Sequence, residues 1–363
     1  MSNHSIIGRF FRSFGAAAVG PTPPQPTLAE LPDGEDADTI ETDTEFPSDQ
    51  WSARIVGETP AKDGEFPVRF IDGSQTGQPV LCLRAPAGWP IPLVVAEVGA
   101  VALRLHGRRF VREFATVERV LSFVVDPFPW EEVEAFAAAV LDDAELRLRL
   151  VPANMPQADK NPFDYEQTRM QAFNRIEQEM LNAERLALAA EAGVPTLVDG
   201  KIGGRIGSEA ARSRPLLVGV VKRTPPGLHA EGWRTLLALR PGQRTPVFKL
   251  TGVSGTNVSD MPTASWFLKL AGGPRLAPNW GHVRVDVPWV QFAEQFRGDF
   301  GVVDRLSRWL IDARCRQESY GRMPVSLEPI VRAEESLKPL FTPMSVLTGR
   351  LYRRSGSFGS AAV

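Results

Sequence analysis

Residues 194–223 read VPTLVDGKIGGRIGSEAARSRPLLVGVVKR, and they decide the fold. Two short apolar runs, Pro195–Val198 and Leu216–Val221, are rich in branched residues and bounded by turn formers, the pattern of neighbouring buried strands. The first run ends in Asp199-Gly200 and the second in Lys222. A carboxylate at a strand end, with glycine next to it, faces a loop that a ligand can approach closely. Lysine at the end of the next strand reaches the same space. One Asp-Gly alone is more often a turn. Upstream, however, Val68-Arg69-Phe70-Ile71-Asp72-Gly73-Ser74 repeats the apolar run followed by Asp-Gly. Acid and base at adjacent strand ends suggest a site that handles metal and phosphate.

Around that stretch the chain reads as strands, then helix and strand in alternation, then helices. Pro67–Asp72 and Pro79–Arg84 are expected as the first two strands, and Leu93–Leu105 and Arg109–Val125 as the rest of an antiparallel meander. From Phe128 to Leu150 the spacing becomes helical, with Trp130, Val133, Phe136, Ala137 and Val140 on one face. A long helix is expected from Tyr165 to Ala192, leading directly into the Asp199 strand. Further on, a short helix is expected at Trp233–Leu239, strands at Thr245–Thr251, Ser265–Leu270 and His282–Val287, and closing helices at Trp289–Arg316 and Leu327–Leu340. This order implies a mixed α/β sheet flanked by helices.

Three segments follow from composition. Residues 1–50 combine a short amphipathic stretch, with Phe10, Phe11 and Phe14 loosely on one side, and a linker that is proline-rich and then acidic. That pattern predicts a docking segment for a partner on a disordered tether. Residues 51–345 form the folded domain, and 346–363 a flexible tail.

The chain has 363 residues, 43% apolar and 23% charged, which suits a globular protein with a sizeable core. Its formal net charge of −2 supplies no global basic field, so nucleic acid would have to be held by a local groove. Cys82 and Cys315 are isolated, which fits a reducing compartment and hence the cytoplasm. No apolar run approaches a membrane span, and no GxxxxGK[ST] loop is present.

Two Asp-Gly strand ends invite a hard divalent cation, for which carboxylate oxygens are the natural ligands. A pair of such ions needs a third or fourth acid. The long helix supplies candidates. Phe173, Glu177, Met180, Glu184 and Ala187 form a stripe at heptad-like spacing, which ranks Glu177 and Glu184 above Glu179, a residue that falls with Arg175 and Asn182. Lys222 is a candidate phosphate ligand. His106, His229 and His282 have no metal-ligand spacing. Arg104, Arg108, Arg109 and Arg112 cluster in one hairpin and could track a nucleic-acid backbone.

Taken together, these motifs resemble those of the NurA nucleases. FIDGSQTG at 70–77 is similar to that family's opening DGS motif, and LVDGKI at 197–202 to its internal strand-DG motif. LLVGVVKR at 216–223 is similar to the following strand ending in lysine. HVRVDVPW at 282–289 and MPVSLEPIVRAEE at 323–335 are similar to its late strand and final helix. The matches run in family order from about Arg54 to Leu340. The resemblance implies an RNase H-like core of the PIWI type and Mn²⁺- or Mg²⁺-dependent cleavage of DNA. It also implies a homodimer working with a hexameric HerA-type DNA-translocating ATPase, in DNA end processing and repair or in antiviral defence. The family's first metal aspartate falls on Asp72 and its DG aspartate on Asp199. Its helix glutamate falls on Glu177, Glu184 or Glu179, with Glu177 placed beside the aspartates as the metal ligand. Relatives often carry a histidine after an alanine in the last helix, whereas here Ala333 precedes Glu334. The alternative is a non-catalytic RNase H-like subunit that binds DNA or regulates the ATPase.

Overall fold

The computed structural model describes residues 3–19, 39–155, 164–222, 227–251, 261–272 and 280–355. Helix α1 (Asn3–Ser13) is followed by three short strands, β1 (Ala17–Ala18), β2 (Thr39–Glu41) and β3 (Arg54–Ile55). Three long strands come next: β4 (Arg69–Arg84), β5 (Pro90–His106) and β6 (Arg109–Ser122). Then come α2 (Trp130–Asp142), β7 (Arg149–Leu150), α3 (Tyr165–Ala189), β8 (Thr196–Asp199), α4 (Ser208–Arg212) and β9 (Leu217–Val221). The remainder is α5 (Ala230–Ala238), β10 (Gln243–Arg244), β11 (Phe248–Thr251), β12 (Thr263–Lys269), β13 (His282–Pro288), α6 (Phe300–Asp312), α7 (Glu328–Leu337) and α8 (Met344–Ser355). No helix among the described residues is long and apolar enough to cross a membrane.

The strands join in one mixed sheet with the order β2-β11-β12-β13-β9-β8-β4-β5-β6-β7. Its centre, β6-β5-β4-β8-β9, is an antiparallel meander continued by two parallel strands, the RNase H-like arrangement. Strand alternation divides the core between two faces. Phe70, Leu197, Val218 and Val285 pack beneath α6 residues Val303, Leu306 and Leu310. Ile71, Ala100, Ala102 and Val198 pack on the other face against Ala183, Ala187 and Leu188 of α3. On the first face, α7 covers Val101 and Leu103 with Ala333 and Leu337.

Several boundaries differ from the sequence expectation. Pro67–Asp72 and Pro79–Arg84 are not separate strands. They belong to β4, which runs on through Gly73 and Gly77 because β5 pairs with it along nearly its whole length. The ladder absorbs Pro79 at an irregularity between Pro79 and Leu81, the kind of position where a strand tolerates proline. The expected helix 289–316 is a π-helical turn at Gln291–Gln295 and then α6. Arg297 and Gly298, both at positive φ, separate the two.

The amphipathic N-terminal stretch is not free for docking. Ile7, Phe10, Phe11 and Phe14 are buried in a core made with α2, α8 and the far half of the β4–β5 hairpin. Phe10 stacks on Phe136 with ring centroids 4.2 Å apart. The proline-rich residues of the linker, 20–38, lie outside the described residues. Its acidic end is part of the sheet: β2 pairs with β11, and the Glu45 carboxylate takes Arg244 in two hydrogen bonds of 2.7 and 3.0 Å. Residues 346–355 of the expected tail belong to α8, whose Leu347 and Leu351 are buried, while 356–363 lie outside the described residues.

Candidate active site

The parallel register sets the first two site residues side by side. Arg69, Phe70 and Ile71 of β4 pair with Thr196, Leu197 and Val198 of β8. One step further come Asp72 and Asp199, where β8 stops while β4 continues. Both follow the parity of Phe70 and Leu197, so both face the layer that holds α6 and α7. Lys222 follows β9 on the same parity as Val218 and Val220. Its Nζ donates to Asp199 Oδ2 at 2.7 Å.

Glu184 arrives from α3, on the opposite face. Gly73 admits it: a Cβ on that glycine would lie 2.6 Å from Glu184 Oε1 and 2.7 Å from its Cγ. Glycine after Asp72 is therefore a packing requirement, leaving room for a second carboxylate against the backbone. Arg205 holds Glu184, its Nε donating to Oε2 at 2.7 Å. The same guanidinium donates to the carbonyls of Asp199 and Lys201, tying the helix glutamate to the loop after β8. Gly200 stands at φ +107 over that guanidinium, a conformation that favours glycine.

Glu177 is exposed on α3 and stands apart from this group. Glu179 is buried but committed elsewhere, to Arg149 and Arg175 at 2.7 Å each. The helix crosses a twisted sheet, so its inner line runs through Thr168, Ala172, Ile176, Glu179 and Ala183 and reaches Glu184 only near its C-terminal end. A heptad stripe assumes one inner line throughout, and it places Glu177 and Glu184 together.

A fourth carboxylate, Glu334, comes from α7. It accepts a hydrogen bond from the Tyr320 hydroxyl, and Arg322 and Lys338 lie 3.2 and 2.9 Å from Oε1. Burial raises its pKa, but these donors outweigh burial and hold it below the ordinary carboxylate range. Burial and the same hydrogen bond push the Tyr320 hydroxyl up to about 12. Glu334 occupies the place after Ala333 where the resemblance leads one to look for histidine. The apolar spacing of α7 marks Ala333 and Leu337 as inward-facing, which is the signal that places Glu334 beside the sheet.

Asp72 is the electrostatic focus. It is 6% exposed and makes no hydrogen bond or ion pair among the described residues. Burial drives its pKa well above the usual value, and the charges of Asp199, Glu184 and Glu334 add to the rise while Lys222 offsets part of it. Glu184 is likewise raised by burial, despite Arg205. A buried, partnerless carboxylate among three others is what a cation would relieve. The donor set, all carboxylate oxygen, suits Mg²⁺ or Mn²⁺. Among the described residues no group of three or more His, Cys, Asp or Glu side chains is arranged to hold a metal ion, and Lys222 and Arg205 pair with Asp199 and Glu184.

His229 caps α5, accepting from the Gly232 amide at 3.1 Å, and His106 is exposed on the β5–β6 hairpin. Arg104 pairs with Glu113 at 3.2 Å.

No family model matches the sequence, and no curated protein does. Among solved structures, the chain is similar to the crystal structure of the NurA nuclease from Sulfolobus solfataricus, with a TM-score of 0.44 and 11% identity over 85% of this chain and 86% of that one.

Proposed function

We propose that this protein is a nuclease that hydrolyses phosphodiester bonds of DNA with Mn²⁺ or Mg²⁺. The observation that supports it best is Asp72, a buried carboxylate without a partner, surrounded by acids from three other elements. Asp72 and Asp199 would hold the cation, with Glu184 and Glu334 completing the acidic environment. Such an ion supplies an activated water and compensates charge on the scissile phosphate. The chain's own residues do the rest. Lys222 fixes the Asp199 carboxylate and presents a cation toward the phosphate. Arg205 keeps Glu184 against Gly73. Arg322 balances the acids on the α7 side, where the charges of Asp72 and Asp199 act on it.

The resemblance to NurA motifs extends the proposal to a cytoplasmic homodimer that receives DNA from a HerA-type hexameric ATPase, in DNA repair or antiviral defence. With no P-loop and a net charge of −2, the chain by itself neither translocates nor grips DNA through its overall field. A time course on linear duplex near physiological salt, with and without the ATPase and hydrolysable ATP, tests the division of labour. Strong stimulation is expected, and equal rates in all conditions reject it. For the site, Asp72→Ala and Asp199→Ala should each abolish Mn²⁺-dependent cleavage with the fold intact. Cleavage at the wild-type rate by either variant ends the nuclease proposal.

The second reading is a non-catalytic DNA-binding or regulatory subunit. Lys222 and Arg205 favour it, because they already neutralise two of the four acids as a structural ion-pair network would. Calorimetric titration with Mn²⁺ separates the two: no heat of binding supports the regulatory reading.

A further inference from the structure

The tip of the β5–β6 hairpin carries three arginines that the fold leaves uncompensated. Arg108 and Arg109 are exposed and make no hydrogen bond or ion pair among the described residues. Arg112 is exposed and donates only to the Ser336 carbonyl at 3.4 Å. Arg104, from the same cluster, is spent on Glu113, and Arg119 further along β6 is spent on Glu97. On a chain with a net charge of −2, three unmatched guanidinium groups within five residues form a local field of their own.

The hairpin carries these groups beyond the acidic site, with Arg112 on one face of the ladder and Arg109 on the other. His106 pairs with Arg109, so the connection is the two residues Gly107 and Arg108. Gly107 at φ +60 takes the first central position, the chemistry of a type II′ turn whose twist matches its strands. Arg112 pairs with Leu103, and Asp72 pairs with Val101. Val101 and Leu103 lie together under α7, so Arg112 is on the face of the sheet that carries Asp72. From Val101 the strand advances ~7 Å to Leu103, opposite Arg112, and ~17 Å to His106, opposite Arg109, at ~3.3 Å per residue. DNA rises about 3.4 Å per base pair along one strand, so the two spans are about two and about five base pairs.

We infer that Arg108, Arg109 and Arg112 form a phosphate clamp for duplex DNA that straddles the hairpin, from about two base pairs (Arg112) to about five base pairs (Arg109) beyond the acidic site. Guanidinium groups suit this role because they pair with phosphate oxygens in a fixed fork. Val111, 46% exposed between them, offers an apolar contact to the sugar edge. The inference rests on the nuclease proposal for the identity of its ligand, and binding is measured separately from cleavage so that the two stand or fall independently.

The experiment compares wild type with the triple variant R108Q/R109Q/R112Q. Fluorescence anisotropy with a 30-base-pair duplex is read in EDTA across a salt series. Three lost phosphate contacts should lower the slope of log K against log salt by about 2.7, at ~0.9 per contact. The affinity should fall at least tenfold at the lowest salt, while the circular dichroism spectrum and melting temperature stay unchanged, since the tip is exposed. An unchanged slope and affinity in the variant, with wild type binding normally, overturns the clamp and leaves the nuclease proposal standing. Wild type that neither binds nor cuts duplex DNA overturns both. A methylphosphonate placed about five nucleotides from the cut should weaken wild type and leave the triple variant indifferent. Equal sensitivity in both would also refute the clamp.

Discussion

Gly73→Ala is the most informative single change at the site. The new Cβ would lie 2.6, 2.7 and 2.8 Å from Oε1, Cγ and Cδ of Glu184, distances that no side chain tolerates. Glu184 can yield only by moving its carboxylate, and Arg205 anchors that carboxylate at 2.7 Å. Overpacking of this kind costs about 1–3 kcal/mol. Replacing glycine in a strand returns roughly 0.5–1 kcal/mol of backbone entropy, so the net loss should be about 1–2 kcal/mol. Glu184→Ala removes the obstruction but strands the Arg205 guanidinium, 8% exposed, at a cost of about 3–5 kcal/mol. In that background Gly73→Ala should be neutral or stabilising, a coupling of about 2 kcal/mol between the two positions. Gly77→Ala, on the same strand, is the control. Its Cβ would lie 2.7 Å from the Ala96 Cβ and far from Glu184, so its cost should persist in the Glu184→Ala background within about 0.5 kcal/mol. Urea midpoints of the four Gly73 and Glu184 species, and of the matching Gly77 set, measure both couplings. If Gly73→Ala costs the same with and without Glu184, the two do not touch, and Glu184 is not part of this site.

Other outcomes follow from the same geometry. In EDTA, Asp72 has its folded pKa raised above the unfolded value, so the folded state binds more protons, and this carboxylate lowers stability progressively as pH rises from the unfolded pKa toward the raised one. Asp72→Asn should therefore melt higher than wild type at pH 7 and converge with it below pH 4; a variant that melts lower at neutral pH would contradict the burial argument. Mn²⁺ should raise the melting temperature of wild type but not of Asp72→Asn. Glu45→Ala removes the bidentate partner of Arg244, which is 1% exposed, and should cost about 3–5 kcal/mol by urea denaturation. Phe10→Ala should cost about 3–5 kcal/mol through the cavity beside Phe136, and deleting residues 1–40 should destabilise the whole domain rather than release a tether. A truncated protein that melts like the full chain would show that α1 is dispensable.

The strands that build the site were legible because their signals are local. Short branched runs ending in Asp-Gly mark β8 and the start of β4, and the run ending in Lys222 marks β9. The helix glutamate was only half legible. Heptad spacing groups Glu177 with Glu184, and only the crossing of α3 over a twisted sheet decides between them. Glu334 was visible as a departure from a motif, but not as a charge acting on Asp72, because that proximity depends on where α7 lands. The phenylalanines of α1 illustrate the opposite failure. An amphipathic helix advertises an apolar face without naming what covers it, and the cover here comes from α2 and α8, more than a hundred residues away.

That cover has a consequence for how the protein is made. Ile7, Phe10, Phe11 and Phe14 share one core with Leu347 and Leu351 of the last described helix. A ribosome adding ~5–20 residues per second needs roughly 10–40 s to travel from the end of α2 to the end of α8. During that interval the first helix can meet α2 but not its other wall. The nascent chain therefore carries an unfinished aromatic surface through most of its synthesis, and it is during translation, before α8 emerges, that chaperones have the most to hold.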